Sequence, residues 1–269
     1  MEGRRDQQSG NSRDIYRVPH LGVSVMVDVT MAPKNFYWLI QGDCLQVLPE
    51  LESESVDLVI ADPPYNSRAV EWDKKDDEFH LQWLKEVKRI LKTGGSLYVF
   101  FAPLNMYGIE GFIRKNFTLK NVCVWYHPNL YGAGLSYGSD RWKSTWDVIF
   151  YAVKGKTAKH RKNISQEAWR KYGRGFDVFE YPQPRPLLHK AQKPLKLIEK
   201  IIDVSSNEGD VVLDPFLGSG TTMLACQNLR RSCIGIEIDP EFCKMARERC
   251  FGRTFLDRQI EYRFEVWEN

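Results

Sequence analysis

The stretch "VVLDPFLGSGTTMLACQNL", residues 211–229, decides the fold class because it changes from one type of secondary structure to another within a few residues. An apolar run of strand type ends on Asp214, glycines follow at Gly218 and Gly220, and a helical segment comes next. The apolar run "SCIGIEID", residues 232–239, completes a strand–helix–strand unit. Glycines let a backbone approach a ligand, and free N–H groups at a helix start favour a polar or anionic group. This unit predicts an α/β sheet with a binding site at its strand ends.

The glycine turn differs from the common phosphate-binding motifs, since it is neither G-x-G-x-x-G nor a Walker A loop. Glu237 stands 17 residues beyond Gly220, at the end of the next strand. An acid at that place can accept hydrogen bonds from both hydroxyls of a ribose, although it can also be a simple helix-start acid. Together with the glycine turn, Glu237 favours a cofactor that contains a nucleoside.

The remainder of the chain alternates short apolar runs with segments of helical periodicity, which is typical of a mostly parallel sheet with crossover helices. Apolar residues recur at helical spacing from Leu84 to Leu91, before Gly94 and Gly95 end the pattern. Another helix is predicted to begin near Pro194, because proline suits a first helical turn. The predicted strands are 36–40, 56–61, 96–102, 121–126, 146–153, 210–214 and 232–239.

The length of the chain, 269 residues, suits one large α/β domain. We expect a disordered polar tail over residues 1–35 and the domain over residues 36–269. The first residues lack the apolar core of a secretory signal, and no apolar run approaches the roughly 20 residues that span a bilayer. The sequence therefore predicts a cytoplasmic protein without a membrane partner.

The cysteines and the net charge give only weak information about metal sites and partners. Six cysteines are scattered without a C-x-x-C pair, which predicts reduced packing residues and no metal site. A net charge of +3 with a pI near 8.4 is too mildly basic to indicate a nucleic-acid partner by itself.

The second informative stretch is "VDLVIADPPYN", residues 56–66, where a buried-strand pattern ends on Asp62, Pro63, Pro64 and Tyr65. A strand that ends in a proline turn is one explanation. The glycine turn elsewhere in the chain supports another, in which this tetrapeptide carries chemistry.

Four segments together resemble the amino-group DNA methyltransferases that use S-adenosylmethionine: "DPPY", "DPFLGSGTT", "GIEID" and "QGDCLQVL". The tetrapeptide precedes the glycine turn, and this order is similar to that of the beta-class group. The resemblance covers about residues 36–250. It implies a doubly wound, mostly parallel α/β sheet of the class I methyltransferase (Rossmann-like) type, with a circularly permuted order of motifs.

The resemblance also implies where S-adenosyl-L-methionine would bind. Glu237 would hold the ribose, Ile238 would pack beside the adenine, and Asp43 would contact the adenine amino group. The segment "HKAQKP" matches the part of the family that brings His189 and Lys193 near the cofactor's carboxylate, although Lys193 can also be a solvated cation. The implied cofactor-binding residues are Asp43, Cys44, Ala61, Asp62, His189, Lys193, Asp214, Phe216, Gly218, Ser219, Gly220, Thr221, Thr222, Glu237 and Ile238.

The tetrapeptide suits transfer of a methyl group to the amine of a base, which is a poor nucleophile because its lone pair is delocalised into the ring. Asp62 and the carbonyl oxygen of Pro63 can accept hydrogen bonds from that amine and stabilise its developing positive charge. Proline has no competing N–H and holds its carbonyl at a fixed φ. Tyr65 offers a face for a base flipped out of the duplex. We therefore expect Asp62, Pro63, Pro64 and Tyr65 to be catalytic.

Residues 154–176 concentrate eight basic residues against one acid, with three aromatic residues interleaved. A solvated insertion and a nucleic-acid surface both fit this composition. The resemblance places target recognition here, so we expect an insertion over about 154–185 to contact double-stranded DNA. A homodimer and a cognate restriction endonuclease are further partners that the resemblance leaves open. The predicted DNA-binding residues are Lys159, Arg161, Lys162, Arg170, Lys171 and Arg174.

The target base follows from the first residue of the tetrapeptide. Within the family, an aspartate at the place of Asp62 is mostly associated with adenine-N6 methylation and a serine with cytosine-N4 methylation. The sequence therefore favours adenine in DNA, with cytosine-N4 as the alternative. An RNA guanine-N2 methyltransferase and a catalytically inactive DNA-binding subunit remain weaker alternatives.

Overall fold

The computed structural model describes residues 35–65, 76–130, 144–158, 177–184, 192–252 and 260–267. Its strands are β1 (Asn35–Gln41), β2 (Val56–Ala61), β3 (Leu91–Phe101), β4 (Thr118–Tyr126), β5 (Trp146–Val153), β6 (Val178–Glu180), β7 (Val211–Asp214), β8 (Ser232–Glu237) and β9 (Ile260–Val266). Its helices are α1 (Cys44–Val47), α2 (Asp77–Ile90), α3 (Tyr107–Asn116), α4 (Leu195–Ser205), α5 (Thr221–Leu229) and α6 (Pro240–Phe251).

The described strands form one sheet with the order β6-β4-β5-β3-β2-β7-β8-β1-β9. Strand β5 is antiparallel to both of its neighbours, β3 and β4, and the other described pairs are parallel. The mostly parallel α/β sheet predicted from the sequence is thereby confirmed.

Helices cover both faces of this sheet. Helices α1, α2 and α3 contribute to one hydrophobic core. Helices α4, α5 and α6 contribute to the other. Central strands are therefore buried on both sides, and every residue of β2 and of β8 is buried. This explains why both strands appear in the sequence as nearly continuous apolar runs.

The chain reverses its direction of winding between the neighbouring strands β2 and β7. Strand β2 leads through α2 to β3 on one side, and β7 leads through α5 to β8 on the other. The two connecting helices lie on opposite faces of the sheet. The carboxyl ends of β2 and β7 therefore border a crevice. Ligands of open α/β sheets bind in such a crevice.

Helix α2 shows how the local sequence defines one of these elements. The carboxylate of Asp76 caps its first turn by accepting a hydrogen bond of 2.9 Å from the backbone N–H of Phe79. Leu91, which the periodicity includes in the helix, is instead the first residue of β3. The side chains that α2 buries are His80, Trp83, Leu84, Val87 and Ile90.

Several elements were not predicted from the sequence, although all seven predicted strands are present. Strand β6 lies within the basic insertion and is only three residues long, with two exposed side chains, so it lacks an apolar signal. Strand β9 is mostly half-buried at the edge of the sheet.

Lys154, at the start of the insertion, donates a hydrogen bond of 2.7 Å to the backbone carbonyl of Leu91. This cation therefore anchors the sheet.

All six cysteines are buried as free thiols, as expected for packing residues. In the described ranges, no helix combines the length and the apolar character needed to cross a membrane.

Candidate active site

Three acidic side chains converge at the carboxyl ends of adjacent strands. Asp62 follows β2, Asp214 ends β7, and Glu237 ends β8. Asp214 and Glu237 are buried. These acids lie far apart in the sequence, and the parallel order β2-β7-β8 brings them to one edge of the sheet.

The glycine turn between β7 and α5 is tied to Glu237. The carboxylate of Glu237 accepts hydrogen bonds of 2.7 Å from the N–H of Gly218 and 2.9 Å from the N–H of Asp239. Gly220 has a φ of +84°, in the left-handed region that favours glycine, and it immediately precedes α5. The turn is thus shaped by glycine conformation and by the acid at the end of the next strand.

Arg249 on α6 holds the same turn from the other side, and no sequence pattern indicated this role. Its guanidinium donates to the backbone carbonyl of Ser219 at 3.2 Å and to the hydroxyl of Thr221 at 3.0 Å. The Ser219 hydroxyl also lies 3.3 Å from Arg249. The hydroxyls of Ser219 and Thr221 therefore face the protein. No local motif marks Arg249, because it lies on a helix outside the recognised segments.

Burial shifts the pKa values of the acids at the carboxyl ends of these strands. It raises the pKa of Asp214 to about 7, against hydrogen bonds from Thr222 and from the N–H of Phe216 that lower it. Burial also raises the pKa of Glu237, against its backbone hydrogen bonds. Such perturbed carboxyl groups in a crevice are typical of functional sites.

Asp62 is paired through both of its carboxylate oxygens. Oδ1 accepts a hydrogen bond of 2.5 Å from the hydroxyl of Tyr65, and Oδ2 accepts one from Nζ of Lys193. Burial raises the pKa of Asp62, whereas the charge and hydrogen bond of Lys193 and the hydrogen bond of Tyr65 act in the opposite direction. Asp147 on β5 adds to the rise.

Lys193 lies in an aromatic enclosure beside the tetrapeptide. Its ammonium is 5.5 Å from the ring centroid of Tyr65, 5.3 Å from that of Phe100 and 5.6 Å from that of Trp125. The side chain is buried. The resemblance implied a place near the cofactor's carboxylate, whereas in this structure Lys193 contacts Asp62.

Tyr65 is positioned by two contacts that the sequence did not indicate. Its backbone carbonyl accepts a hydrogen bond of 2.7 Å from the side-chain amide of Asn105, and its ring lies 5.3 Å from that of Phe101. Asn105 follows the carboxyl end of β3, the strand next to β2. The tetrapeptide is therefore held by the neighbouring strand as well as by its own prolines.

The other predicted cofactor residues occupy varied surroundings. Ile238 is 62% exposed, directly after the buried Glu237. Phe216 packs edge-on against Trp83 with ring centroids 5.3 Å apart. Asp43 caps α1 by accepting a hydrogen bond of 2.9 Å from the N–H of Leu45. The side chains of Cys44 and Ala61 are buried in the core.

His189 and the whole predicted DNA-binding set lie outside the described residues. These positions are His189, Lys159, Arg161, Lys162, Arg170, Lys171 and Arg174.

The residues at the carboxyl end of β8 fit a nucleoside-bearing cofactor. Ile238 presents an exposed apolar surface that a purine ring can cover, beside the Glu237 carboxylate that can accept ribose hydroxyls. The glycine turn at the start of α5 provides the close backbone approach that the rest of such a cofactor needs.

Comparison with protein families decides the assignment. The model of the family described as DNA methylase, which represents N6 and N4 methyltransferases, matches residues 56–248 and so includes the tetrapeptide, the glycine turn and Glu237. The chain belongs to this family. The order of its motifs is that of the beta class, as the sequence predicted.

Relatives of the DNA methylase family extend the match over most of the chain. The DNA adenine methyltransferase YhdJ of Escherichia coli is 37% identical over 242 residues, which cover 78% of this chain and 81% of YhdJ. The type II methyltransferase M.HpaI of Haemophilus parainfluenzae is 33% identical over 231 residues, covering 78% of this chain and 73% of M.HpaI.

Solved structures confirm the class I methyltransferase fold. The Thermus thermophilus DNA modification methylase TTHA0409, in complex with S-adenosyl-L-methionine, has a TM-score of 0.66 at 26% identity, with 85% of this chain and 98% of that chain covered. The cytosine-N4-specific PvuII DNA methyltransferase has a TM-score of 0.64 at 21% identity, covers 84% of this chain and 90% of its own, and shows the fold alone.

Proposed function

We propose that this DNA methylase transfers a methyl group from S-adenosyl-L-methionine to the exocyclic N6 amine of adenine in double-stranded DNA. The observation that carries the proposal is the position of Asp62, whose carboxylate lies at the crevice between β2 and β7, next to the glycine turn. YhdJ, which is named a DNA adenine methyltransferase, supports the choice of base.

Glu237, Ile238 and the glycine turn would hold the cofactor at the end of β8. When bound, the cofactor supplies a methyl group on a positively charged sulfur, and the sulfur keeps the electron pair of the broken bond. The carboxylates of Asp62 and Asp214 favour a cation in this crevice, because the loss of contact with water destabilises their ionised forms and a nearby positive charge stabilises them.

Asp62 and the backbone carbonyl of Pro63 would accept the hydrogens of the adenine amine, direct its lone pair towards the methyl carbon, and stabilise the positive charge that develops on N6. The positively charged N6 then releases one proton to water, which restores its neutrality. Tyr65 would stack on the base, which must leave the duplex to reach this site.

Cytosine-N4 methylation is the second candidate, because cytosine presents a chemically similar amine. Aspartate at position 62, where the family's cytosine enzymes mostly have serine, favours adenine. An RNA guanine-N2 activity and an inactive DNA-binding subunit are less well supported.

The basic insertion over about 154–185 would contact DNA at a short recognition sequence, and a second copy of the chain would supply further contacts. M.HpaI is named a type II methyltransferase, which supports a cognate restriction endonuclease as a functional partner. The enzyme would act in the cytoplasm, on nucleoid DNA.

The test uses S-adenosyl-L-methionine with a deuterated methyl group and unmethylated genomic DNA, with cellular RNA in a parallel reaction. The nucleic acid is digested to nucleosides and analysed by mass spectrometry. Labelled N6-methyladenine in DNA supports the proposal, and labelled N4-methylcytosine replaces it with the second candidate. Label in RNA alone, or none at all, contradicts a DNA methyltransferase activity.

The matched variant is Asp62→Ala. It should bind DNA as the wild type does and transfer no measurable methyl group, because the acceptor for the amine is gone. Undiminished turnover would refute the catalytic role of Asp62.

A further inference from the structure

We propose that Lys193 is a positioning residue for methyl transfer, whose ammonium holds the Asp62 carboxylate in its ionised form and turned towards the incoming amine. This inference rests on the proposed function and adds a role for a residue 131 positions away from Asp62 in the sequence.

The contact is direct and enclosed. Nζ of Lys193 donates to Oδ2 of Asp62, and both side chains are largely withdrawn from solvent, with 8% and 18% of their surface exposed. Lys193 directly precedes Pro194, the residue before α4, and the carbonyl of Pro194 accepts hydrogen bonds from the N–H groups of Leu197 and Ile198. The backbone that carries the ammonium is therefore anchored to a helix of the core.

The rings around Lys193 restrict where its ammonium can go. Phe100 comes from β3, Trp125 comes from β4, and Tyr65 comes from the tetrapeptide. Each ring face attracts a cation. A charge held in this way can stay beside Asp62 without being drawn into water.

The charge of Lys193 opposes the influences that favour the protonated form of Asp62. Burial disfavours the carboxylate, and the acids Asp147 on β5 and Asp214 on β7 repel it. Tyr65 donates to it as a neutral group. Among the described residues, the cation that contacts Asp62 is Lys193.

Protonation of Asp62 would remove the acceptor that the amine needs. Without a neighbouring cation, a carboxylate largely withdrawn from solvent and flanked by two acids would become protonated at a higher pH. The lysine is thus expected to extend methyl transfer to lower pH. This differs from a role in binding the carboxylate of the cofactor, which would change affinity and leave the pH dependence of the chemical step unaltered.

The experiment measures single-turnover methyl transfer from labelled S-adenosyl-L-methionine to unmethylated DNA over a pH series, for the wild type and for Lys193→Met. We expect a rate at least tenfold lower at neutral pH, and an acidic half-maximum that moves upward by about one to three pH units. Lys193→Gln, which keeps a hydrogen-bond donor without the charge, should move the half-maximum in the same direction and serves if Lys193→Met does not fold.

The matched control is Lys92→Met, on β3, whose ammonium pairs with an aspartate at the other end of β2 from Asp62. Nζ of Lys92 lies 2.8 Å from Oδ2 of the buried Asp57, near the start of β2. This variant also removes a lysine from a buried aspartate, but it lies away from the crevice. Its acidic half-maximum should equal that of the wild type.

The outcomes separate the inference from the proposed function. No methyl transfer by the wild type contradicts the proposed function. With an active wild type, an unmoved half-maximum in the Lys193 variants overturns the positioning role, whether the rate falls or not. Weaker binding of S-adenosyl-L-methionine by calorimetry, with an unchanged rate and half-maximum at saturation, assigns Lys193 to the cofactor instead.

Discussion

The hydroxyl of Tyr65 donates a 2.5 Å hydrogen bond to Oδ1 of Asp62, so the aromatic residue of the tetrapeptide is bonded to its acid. The tyrosine therefore uses an acceptor atom that an adenine amine would need in the reaction. The ring of Tyr65 is at the same time held beside Phe101. Base binding should replace the hydroxyl contact while it keeps the ring as a stacking surface.

Variants of Tyr65 separate its hydroxyl from its ring. Tyr65→Phe keeps the ring and removes a competing donor, so we expect a single-turnover rate within about threefold of the wild type at pH 8. Tyr65→Ala removes the stacking surface, which contributes about 1–3 kcal/mol per base, and should lower the rate by roughly 5- to 150-fold. Equal losses in the two variants would assign the function to the hydroxyl.

Asp214 should make the stability of the cofactor-free protein depend on pH. Its pKa is about 7 in the folded protein and about 4 in an unfolded chain, so the folded state binds the proton more tightly. The free energy of unfolding then has a contribution from Asp214 that is present below pH 4 and is lost as the pH rises towards 7.

Asp214→Asn removes this contribution and should become more stable relative to the wild type as the pH rises. The difference in the free energy of unfolding should change by at most about 3 kcal/mol between pH 5 and pH 8. Urea unfolding at both pH values measures it, and any constant loss from altered hydrogen bonds cancels. A difference that does not change with pH would show that Asp214 is ionised in the folded protein throughout.

Glu237 should control cofactor affinity through the glycine turn. Glu237→Gln keeps one acceptor for the N–H groups of Gly218 and Asp239 and loses the charge, and a hydrogen bond to a charged group contributes about 1.5–3 kcal/mol. We expect the Kd for S-adenosyl-L-methionine to rise by roughly 10- to 150-fold in calorimetry. Glu241→Gln, in the exposed first turn of α6, is the control and should bind normally.

Arg249 should act on the same turn from α6. Arg249→Met removes the hydrogen bonds that α6 makes to Ser219 and Thr221 in the glycine turn. The turn is then held less firmly, so the Kd for S-adenosyl-L-methionine should rise about tenfold. Arg247→Met, on the same helix but stacked 5.2 Å from the ring of Phe264, should leave binding unchanged. Equal affinities of the two variants would exclude this role.

The local sequence was sufficient to predict the strands that are buried on both faces. Strands β2, β7 and β8 have continuous apolar runs because helices cover them on each side, and each run ends on or beside an acid at the crevice. The glycine turn could also be read directly, because the positive φ of Gly220 favours that residue type. For these reasons the sheet class, the tetrapeptide and the family were all accessible before the structure.

Edge elements, and contacts between residues that lie far apart in the sequence, could not be predicted in this way. Strand β6 has too few residues and too little burial to produce a pattern, and its place depends on pairing with β4. The partners of Lys193 and Arg249 depend on which helices the fold brings to the crevice.

By itself, therefore, the sequence determined the α/β class, the permuted order of motifs and the acids at the strand ends, since each has a signal within a few neighbouring residues. Only the tertiary structure decided that Lys193 pairs with Asp62 and that Arg249 supports the glycine turn. The physical reason is that these contacts join residues on separate elements, and the distance between such residues is set by the packing of helices on the sheet.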